Sequence, residues 1–265
     1  MIIRPDYIQA ITPFIDQPLV KILAGVRRCG KSTIFEMLVE ELRSRGIPDD
    51  HIIQKRYTEM DIPEDISAAD MYKELLESIQ GKGRCYLFLD EIQEVKGWER
   101  CINSLLEGQN VDIYVTGYNS RLMSSEISTY LTGRFVSVPV YTLSFKEYLE
   151  FKKGDLRSEK ELLEEYIRLG GFPIIALGNY DEQSAYQIVN GIYYTVISRD
   201  IVKRHRINRQ DLFDRVVKYI IENMGKTFSA SSIAKFLKSE HRTVSVESIY
   251  NYLRWLEQAF IIYPC

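Results

Sequence analysis

The stretch that decides the fold reads Gly25-Val26-Arg27-Arg28-Cys29-Gly30-Lys31-Ser32, followed by Thr33. It matches G-x-x-x-x-G-K-[ST], the phosphate-binding loop. Backbone N–H groups must wrap the triphosphate closely, so glycines stand at both ends, and the loop opens into a helix N-terminus that favours an anion. We expect Lys31 to bind the β- and γ-phosphates and Ser32 to bind Mg²⁺.

The flanking residues support this interpretation. Lys21–Ala24 has the composition of a short buried strand, and Ile34, Leu38 and Leu42 recur after the loop at helical spacing. Gly46 stands where a helix C-cap is expected. Strand, glycine loop and helix form the setting that the motif requires, and the alternative is a chance match in a loop.

A second motif follows about sixty residues downstream. The apolar run Cys85–Leu89 ends in Asp90 and Glu91, which is typical of a parallel strand buried on both faces with carboxylates at its C-terminal edge. We expect Asp90 to hold Mg²⁺, directly or through water, and Glu91 to polarise the water that attacks the γ-phosphate. The alternative is an ordinary strand whose Asp90 caps the next helix.

Val111–Val115 predicts a further strand, and polar residues follow it. Asn119 and Thr116 are candidates for contact with the γ-phosphate or the lytic water. The alternative is a turn with Ser120 as the N-cap of the next helix.

Arg134 lies in the short stretch Leu131-Thr132-Gly133-Arg134-Phe135, which predicts a tight turn. An arginine after such a turn can neutralise the charge of a departing phosphoryl group, in cis or across a subunit interface. The alternative is a surface residue.

In residues and in order, these motifs resemble a family of bacterial and archaeal AAA-type ATPases related to the AAA+ and STAND groups. The resemblance implies an α/β P-loop NTPase fold with a parallel sheet in which the Val111 strand lies between the phosphate-loop and Asp90 strands. It also implies a sensor role for Asn119, an arginine-finger role for Arg134, and ATP or ADP with Mg²⁺ as ligands. Tyr118 departs from the family pattern, which usually has a small residue there. The stretches that carry the resemblance are 25–33, 86–93, 116–120, 131–135, 143–148, 170–173 and 198–201.

The site expected from motifs and resemblance together has three parts. The nucleotide-binding set is Gly25, Val26, Arg27, Arg28, Cys29, Gly30, Lys31, Ser32 and Thr33. The catalytic set is Glu91, Lys31, Arg134 and Asn119, and the metal ligands are Ser32 and Asp90.

Three segments are expected: an AAA-like domain over residues 1–143, a helical lid over 144–208, and a winged helix over 209–265. The last has three helical patterns before Phe260–Tyr263, which predicts the first strand of a wing inside which the chain stops. A cluster of basic residues precedes it and indicates a second phosphate sensor, a basic contact face or a solvated helix face. The outward face of the last helix is close to neutral, which favours a packing or protein-docking role over DNA binding. The cluster is Arg199, Lys203, Arg204, His205, Arg206 and Arg209.

Composition narrows the functional classes. The 265 residues carry a net charge of −3, so no global basic field indicates nucleic acid. No apolar run is long enough for a signal peptide or a membrane span, and the four cysteines are scattered, which favours reduced thiols in a cytoplasmic protein. The Cys29 thiol, among phosphate-binding amides beside Lys31, is expected to have a lowered pKa.

The leading hypothesis is a slow Mg-dependent ATPase that couples its nucleotide state to movements of the lid and winged helix. The alternatives are a nucleotide-gated DNA-binding regulator and a P-loop kinase for a small molecule. The pair Asp90-Glu91 disfavours the kinase, because a kinase needs no second acid to activate water. Besides the nucleotide, we expect a protein partner or self-association through Arg134. DNA remains an open alternative, and no contact with a membrane is expected.

Overall fold

The computed structural model describes residues 3–59, 62–63, 65–119, 122 and 125–263. The chain forms two compact units, Met1–Val189 and Asn190–Cys265.

The first unit contains a five-stranded parallel sheet. Its strands are β1 (Val20–Ala24), β2 (Ile52–Arg56), β3 (Cys85–Asp90), β4 (Val111–Gly117) and β5 (Phe135–Pro139), in the spatial order β2-β3-β4-β1-β5. The strand that begins at Val111 therefore lies between the strand before the phosphate loop and the strand that ends at Asp90, as the resemblance implied. Because all neighbours are parallel, the loops after β1, β3 and β4 meet at one edge.

Apolar strands produce this buried sheet. Every residue of β1, β3 and β4 is buried, as expected of strands covered on both faces. The Phe88 ring stacks on Tyr114 at 4.5 Å between centroids and meets Phe35 edge-on at 5.1 Å, which joins the sheet to the helix after the phosphate loop. At the opposite edge the Lys21 ammonium donates to Asp112, and both side chains are fully buried.

Helices surround the sheet and extend beyond it. Glycine or serine precedes several of them; Ser67, Ser144 and Ser158, for example, each form a capping box with the third residue of the helix. The helices are α1 (Pro5–Ile11), α2 (Lys31–Ser44), α3 (Ala68–Ile79), α4 (Trp98–Gly108), α5 (Ser125–Tyr130), α6 (Phe145–Phe151), α7 (Glu159–Leu169), α8 (Pro173–Leu177) and α9 (Glu182–Thr195).

The break between α7 and α8 brings the predicted lid region beside the phosphate loop. The Gly171 backbone lies against Leu143, whose N–H donates to the Gly171 oxygen at 2.6 Å. A Cβ at Gly171 would meet the Leu143 oxygen at 2.3 Å, so only glycine permits this approach. A Cβ at Gly30 would lie 3.8 Å from the Pro173 side chain, which places the start of α8 next to the loop.

The second unit is helical in its described part. The end of α9 continues as a π-helix over Val196–Lys203, and α10 (Gln210–Glu222), α11 (Ala230–Ser239) and α12 (Val246–Gln258) follow. The strand expected over Phe260–Tyr263 is absent from the described residues. After α12 the chain turns at Phe260, whose φ of 58° is left-handed. This conformation is incompatible with the extended backbone of a strand at that residue.

No helix within the described residues is both long enough and apolar enough to cross a membrane.

Candidate functional site

The phosphate loop leaves β1 at the edge where β3 and β4 also end. Gly25 donates its N–H to the Gly117 oxygen at 3.2 Å, which anchors the loop to the end of β4. A Cβ at Gly25 would lie 2.0 Å from the Val140 oxygen, so the close approach of these two backbones requires glycine. Gly30 precedes α2 with a φ of 104°, a conformation in which L side chains are strained. Both glycines of the motif are thus explained by the backbone path.

The remaining loop residues differ in exposure. Val26 and Cys29 face the interior, whereas Arg28 and Thr33 are exposed, and Arg28 has a left-handed φ of 63°. The loop therefore presents its backbone, with the buried side chains acting as anchors.

Lys31 is the buried cation of the site. Only 4% of its surface is exposed, and its Nζ donates to the Gly25 oxygen at 2.9 Å and to the Val26 oxygen at 3.1 Å. The Nζ also lies 3.9 Å from Oε1 of Glu91. Lys31 consequently links the loop to the acidic strand end.

Asp90 collects three hydrogen-bond donors. Its Oδ2 accepts from the Ser32 hydroxyl at 2.8 Å and from Nε of Arg56 at 3.1 Å, and its Oδ1 accepts from the Thr116 hydroxyl. Asp90 does not cap the next α-helix, because α4 begins only at Trp98.

The Ser32–Asp90 pair fits a hard divalent cation. Magnesium prefers oxygen ligands and is commonly held by one or two protein oxygens together with phosphate oxygens. Here a hydroxyl from the start of α2 and a carboxylate from the end of β3 already lie within hydrogen-bond distance of each other. The residues present therefore suit the metal that the motifs imply.

Glu91 is held in an unusual backbone conformation. Its φ of 56° and ψ of 46° are left-handed, and strain of this kind in a non-glycine residue is concentrated at functional sites. The N–H of Glu91 donates to the Thr116 hydroxyl at 2.9 Å, and its Oε2 accepts from Nε2 of Gln93 at 2.7 Å. These bonds fix both the backbone and the carboxylate.

Burial raises the pKa of Glu91, and the nearby Lys31 ammonium opposes part of that rise. A carboxylate with a raised pKa is a better proton acceptor, since its basicity lies closer to neutral pH. The arrangement is suited to polarising a water molecule.

Thr116 is the residue that ties the two acids together. It is fully buried, accepts from the Glu91 backbone and donates to Asp90. Sequence reasoning named Thr116, together with Asn119, as a candidate for contact with the γ-phosphate or the lytic water, and did not anticipate its bonds to the two acids. Asn119 is also buried and follows β4 at the same edge, whereas the proposed N-cap Ser120 lies outside the described residues.

Tyr118 connects the end of β4 to the phosphate loop. The Arg27 guanidinium carbon lies 3.6 Å from the centroid of the Tyr118 ring, and the Tyr118 hydroxyl donates to Oε1 of Glu94 at 2.8 Å. The large residue at this position is therefore accommodated by stacking on a loop arginine.

Arg134 lies away from these residues in its own chain. Its backbone oxygen accepts from Val20 at the first residue of β1, and β5 runs from there toward the loop. Five residues of strand separate the two edges, which corresponds to about 16 Å. The guanidinium donates to Asn103 at 2.7 Å and to Glu107 at 2.6 Å. The structure does not bring Arg134 to the phosphate loop in cis.

A buried arginine that sequence reasoning missed supports the loop from behind. Arg4 is 3% exposed; its guanidinium donates to the Cys29 oxygen at 3.0 Å, to the Tyr141 oxygen at 3.1 Å and to Glu147 at 2.7 Å. Glu147 is also the capping-box residue of α6. No motif marks Arg4 in the sequence, because its partners lie far away along the chain.

The lowered pKa expected for Cys29 is wrong. The thiol is fully buried, and burial raises its pKa despite the nearby charges of Lys31 and Arg4. Desolvation of the thiolate outweighs the attraction of two cations.

Comparison with known proteins gives matches over both parts of the chain. The family model described as an AAA domain matches residues 17–149, or 133 of the 265 residues. A domain of unknown function, DUF8612, matches residues 160–265.

Two curated relatives were found, both described as uncharacterized proteins. The one from Haemophilus influenzae is 33% identical over 266 residues, which cover 99% of this chain and 66% of the relative. The one from Methanocaldococcus jannaschii is 32% identical over 145 residues, which cover 49% of this chain and 32% of the relative. The chain thus spans about two thirds and one third of these relatives.

Solved structures show a looser likeness. A DNA polymerase III gamma subunit-related protein from Thermotoga maritima matches with a TM-score of 0.41 and 13% identity, over 96% of this chain and 92% of that one. Drosophila ORC bound to DNA matches with a TM-score of 0.43 and 10% identity, over 96% of this chain and 77% of that one. At such values neither likeness carries an argument about function.

Proposed function

The chain belongs to the AAA domain family, and we propose that it binds ATP with Mg²⁺ and hydrolyses the γ-phosphate slowly. The observation that carries this proposal is the convergence of three groups at one sheet edge: the phosphate loop with its Lys31, the Ser32–Asp90 oxygen pair, and the carboxylate of Glu91. In the sequence these groups are spread over sixty-seven positions, from 25 to 91, and it is the fold that brings them together.

Each group has a role that follows from its chemistry. The loop N–H groups and Lys31 would bind the phosphates, while Ser32 and Asp90 would hold Mg²⁺, which would neutralise part of the phosphate charge. Glu91 accepts a hydrogen bond from the attacking water; Thr116 holds the Glu91 backbone, and Gln93 holds its carboxylate. Asn119 contributes a polar contact at the end of β4.

We propose a role for Arg134 only as an arginine finger that acts on the nucleotide of a second copy of the chain. Because the guanidinium lies at the opposite edge of the sheet from its own loop, an arginine-finger role requires a second copy of the chain. Its bonds to Asn103 and Glu107 would then have to be exchanged for phosphate contacts.

A change in the bound nucleotide would be transmitted to the lid helices through the phosphate loop. Arg4 connects the Cys29 carbonyl to Glu147 at the start of α6, and Pro173 of α8 lies near Gly30. A shift of the loop on binding phosphate therefore acts directly on the first helices of the lid.

The test compares Glu91→Gln with the unmodified chain. The variant keeps the size of the side chain and one acceptor oxygen but lacks the negative charge of the carboxylate. We expect ATP affinity, measured by calorimetry, to remain within a few-fold and phosphate release to fall by at least about a hundredfold. Unchanged phosphate release would refute the role of Glu91, and absent ATP binding in both proteins would refute the whole proposal.

A further inference from the structure

A cavity of about 320 Å³ lies within the second unit, lined mainly by the segment that follows the π-helix and by α12 with the residues just before it. All of its lining belongs to the stretch 205–255, so the cavity is a property of this unit alone. Its size is at the lower end of the range of small-ligand sites. The lining includes His205, Arg206, Arg209, Ser248, Tyr252 and Trp255.

The lining of this cavity is one-sided in charge. It contains Arg206 and Arg209 with His205 beside them, and none of the described lining residues is Asp or Glu. The Arg209 guanidinium donates to the Thr243 oxygen at 3.3 Å, so a hydrogen bond to another lining residue holds this cation at the cavity. Such a cavity attracts anions and repels cations.

The second unit, which contains the cavity, also carries a positive net charge. Residues 190–265 contain twelve Lys and Arg against seven Asp and Glu, a net charge of +5. The whole chain carries −3, which leaves −8 for residues 1–189. This asymmetry, hidden in the overall charge, is typical of a chain in which one part contacts an anionic polymer.

Aromatic rings form the floor. The Trp255 indole stacks against the His205 ring at 4.3 Å between centroids and 11° between planes, and Tyr252 lies 5.7 Å from Trp255. Stacking by His205 fixes the plane of the indole, so the floor is ordered. Planar rings beside cations are the combination that binds unstacked bases.

Polar side chains complete the wall. Thr243, Ser245, Ser248 and Asn251 line the cavity and supply neutral donors and acceptors. The cavity thus combines three kinds of group. Its guanidinium groups can bind a phosphate, its rings can stack on a base, and its short polar groups can bond to a sugar or a base edge.

We propose that this cavity binds single-stranded nucleic acid, with a phosphate on Arg206 and Arg209 and an adjacent base at the ring floor formed by Tyr252 and Trp255. A single strand is favoured over a duplex for two reasons. A recess of this size receives one unstacked base, which a duplex does not offer, and the outward face of α12 is close to neutral, with Glu247 and Glu257 offsetting Arg254. The site lies outside the proposed ATPase machinery and can stand or fall without it.

The test is binding of a fluorescein-labelled oligothymidine to the full chain, followed by anisotropy without nucleotide at several salt concentrations. Replacing Arg206 and Arg209 together by alanine should weaken binding about tenfold and, because one phosphate contact is lost, lower the slope of log K against log salt by about 0.7. The matched control replaces Lys226 and Lys235, two exposed cations outside the cavity, and should change binding little. Equal weakening by both double variants would overturn the proposal, because it would show diffuse attraction rather than a site.

A second readout uses the indole itself. The chain has two tryptophans, so Trp98→Phe leaves Trp255 as the sole reporter, and oligothymidine should quench its emission. Absence of binding and of quenching, or tighter binding of a duplex of equal length, would overturn the proposal. Quenching by a multiply phosphorylated peptide but not by the oligonucleotide would also overturn it and would assign the cavity to a protein partner.

Discussion

Thr116→Val is the substitution that most sharply tests how the acid pair is positioned. Valine has nearly the shape of threonine but lacks the hydroxyl, which here accepts from the Glu91 N–H at 2.9 Å and donates to Asp90. Thr116 is fully buried, so water cannot replace either bond. The variant leaves the Glu91 N–H unpaired and removes one charge-assisted donor from Asp90.

The size of the effect follows from these two losses. An unpaired buried N–H costs about 1–3 kcal/mol, and a lost hydrogen bond to a charged group costs about 1.5–3 kcal/mol. We therefore expect the free energy of unfolding to fall by about 3 kcal/mol, which lowers the urea midpoint of the first unit by about 1 M. Trp98 in that unit reports the transition, with Trp255→Phe as background to silence the other tryptophan.

The effect on catalysis should exceed the effect on binding. Without the hydroxyl, the left-handed conformation of Glu91 loses its anchor, and a misplacement of about 1 Å can cost a hundredfold in rate. ATP affinity should change less than threefold, because the loop and Lys31 remain. Thr116→Ser keeps the hydroxyl and should restore turnover and most of the stability. A valine variant with the unfolding midpoint and turnover of the unmodified chain would refute this reasoning.

Three further outcomes are expected. Arg56→Gln removes a half-exposed cation from Asp90 and should lower the Mg²⁺ concentration needed for half-maximal ATP binding about twofold to fivefold; an unchanged Mg²⁺ titration would contradict this. Gly25→Ala should abolish ATP binding in calorimetry, because the added Cβ meets a backbone oxygen at 2.0 Å, whereas Gly108→Ala, where a Cβ meets nothing within 4 Å, should not. Burial raises the pKa of Glu147, but hydrogen bonds from an arginine and a serine lower it overall, so its stabilisation is present above the pKa of the unfolded chain and is lost as pH falls through the lower, folded pKa. Urea titrations from neutral to acid pH should show a shallower loss of stability for Glu147→Gln than for the unmodified chain.

The sheet could be anticipated from the sequence because its signals are local. A glycine loop between strand and helix, and an apolar run ending in two acids, specify strands buried on both faces, and both were found. The resemblance supplied the order of the strands, which local patterns do not contain. It was confirmed by the pairing of β4 with both β1 and β3.

The support around the site could not be read from the sequence, because it depends on contacts between distant positions. Arg4 reaches Glu147, 143 positions away, and Thr116 reaches Asp90, 26 positions away. For Cys29 the sequence showed the neighbouring cations but not the depth of burial, which reversed the direction of the pKa shift. The predicted wing strand failed for a related reason, since an apolar run fits a strand until the backbone turns, here at Phe260.

The measurement that tests the central claim most directly is calorimetry of ATP with Mg²⁺ on the folded chain, beside the Lys31→Ala variant. Lys31 is the buried cation between the loop carbonyls and Glu91, so its removal takes away the charge meant for the phosphates. The account predicts saturable binding by the unmodified chain and none by a folded variant. Equal heats of binding for both proteins, or none for the unmodified chain, would contradict it.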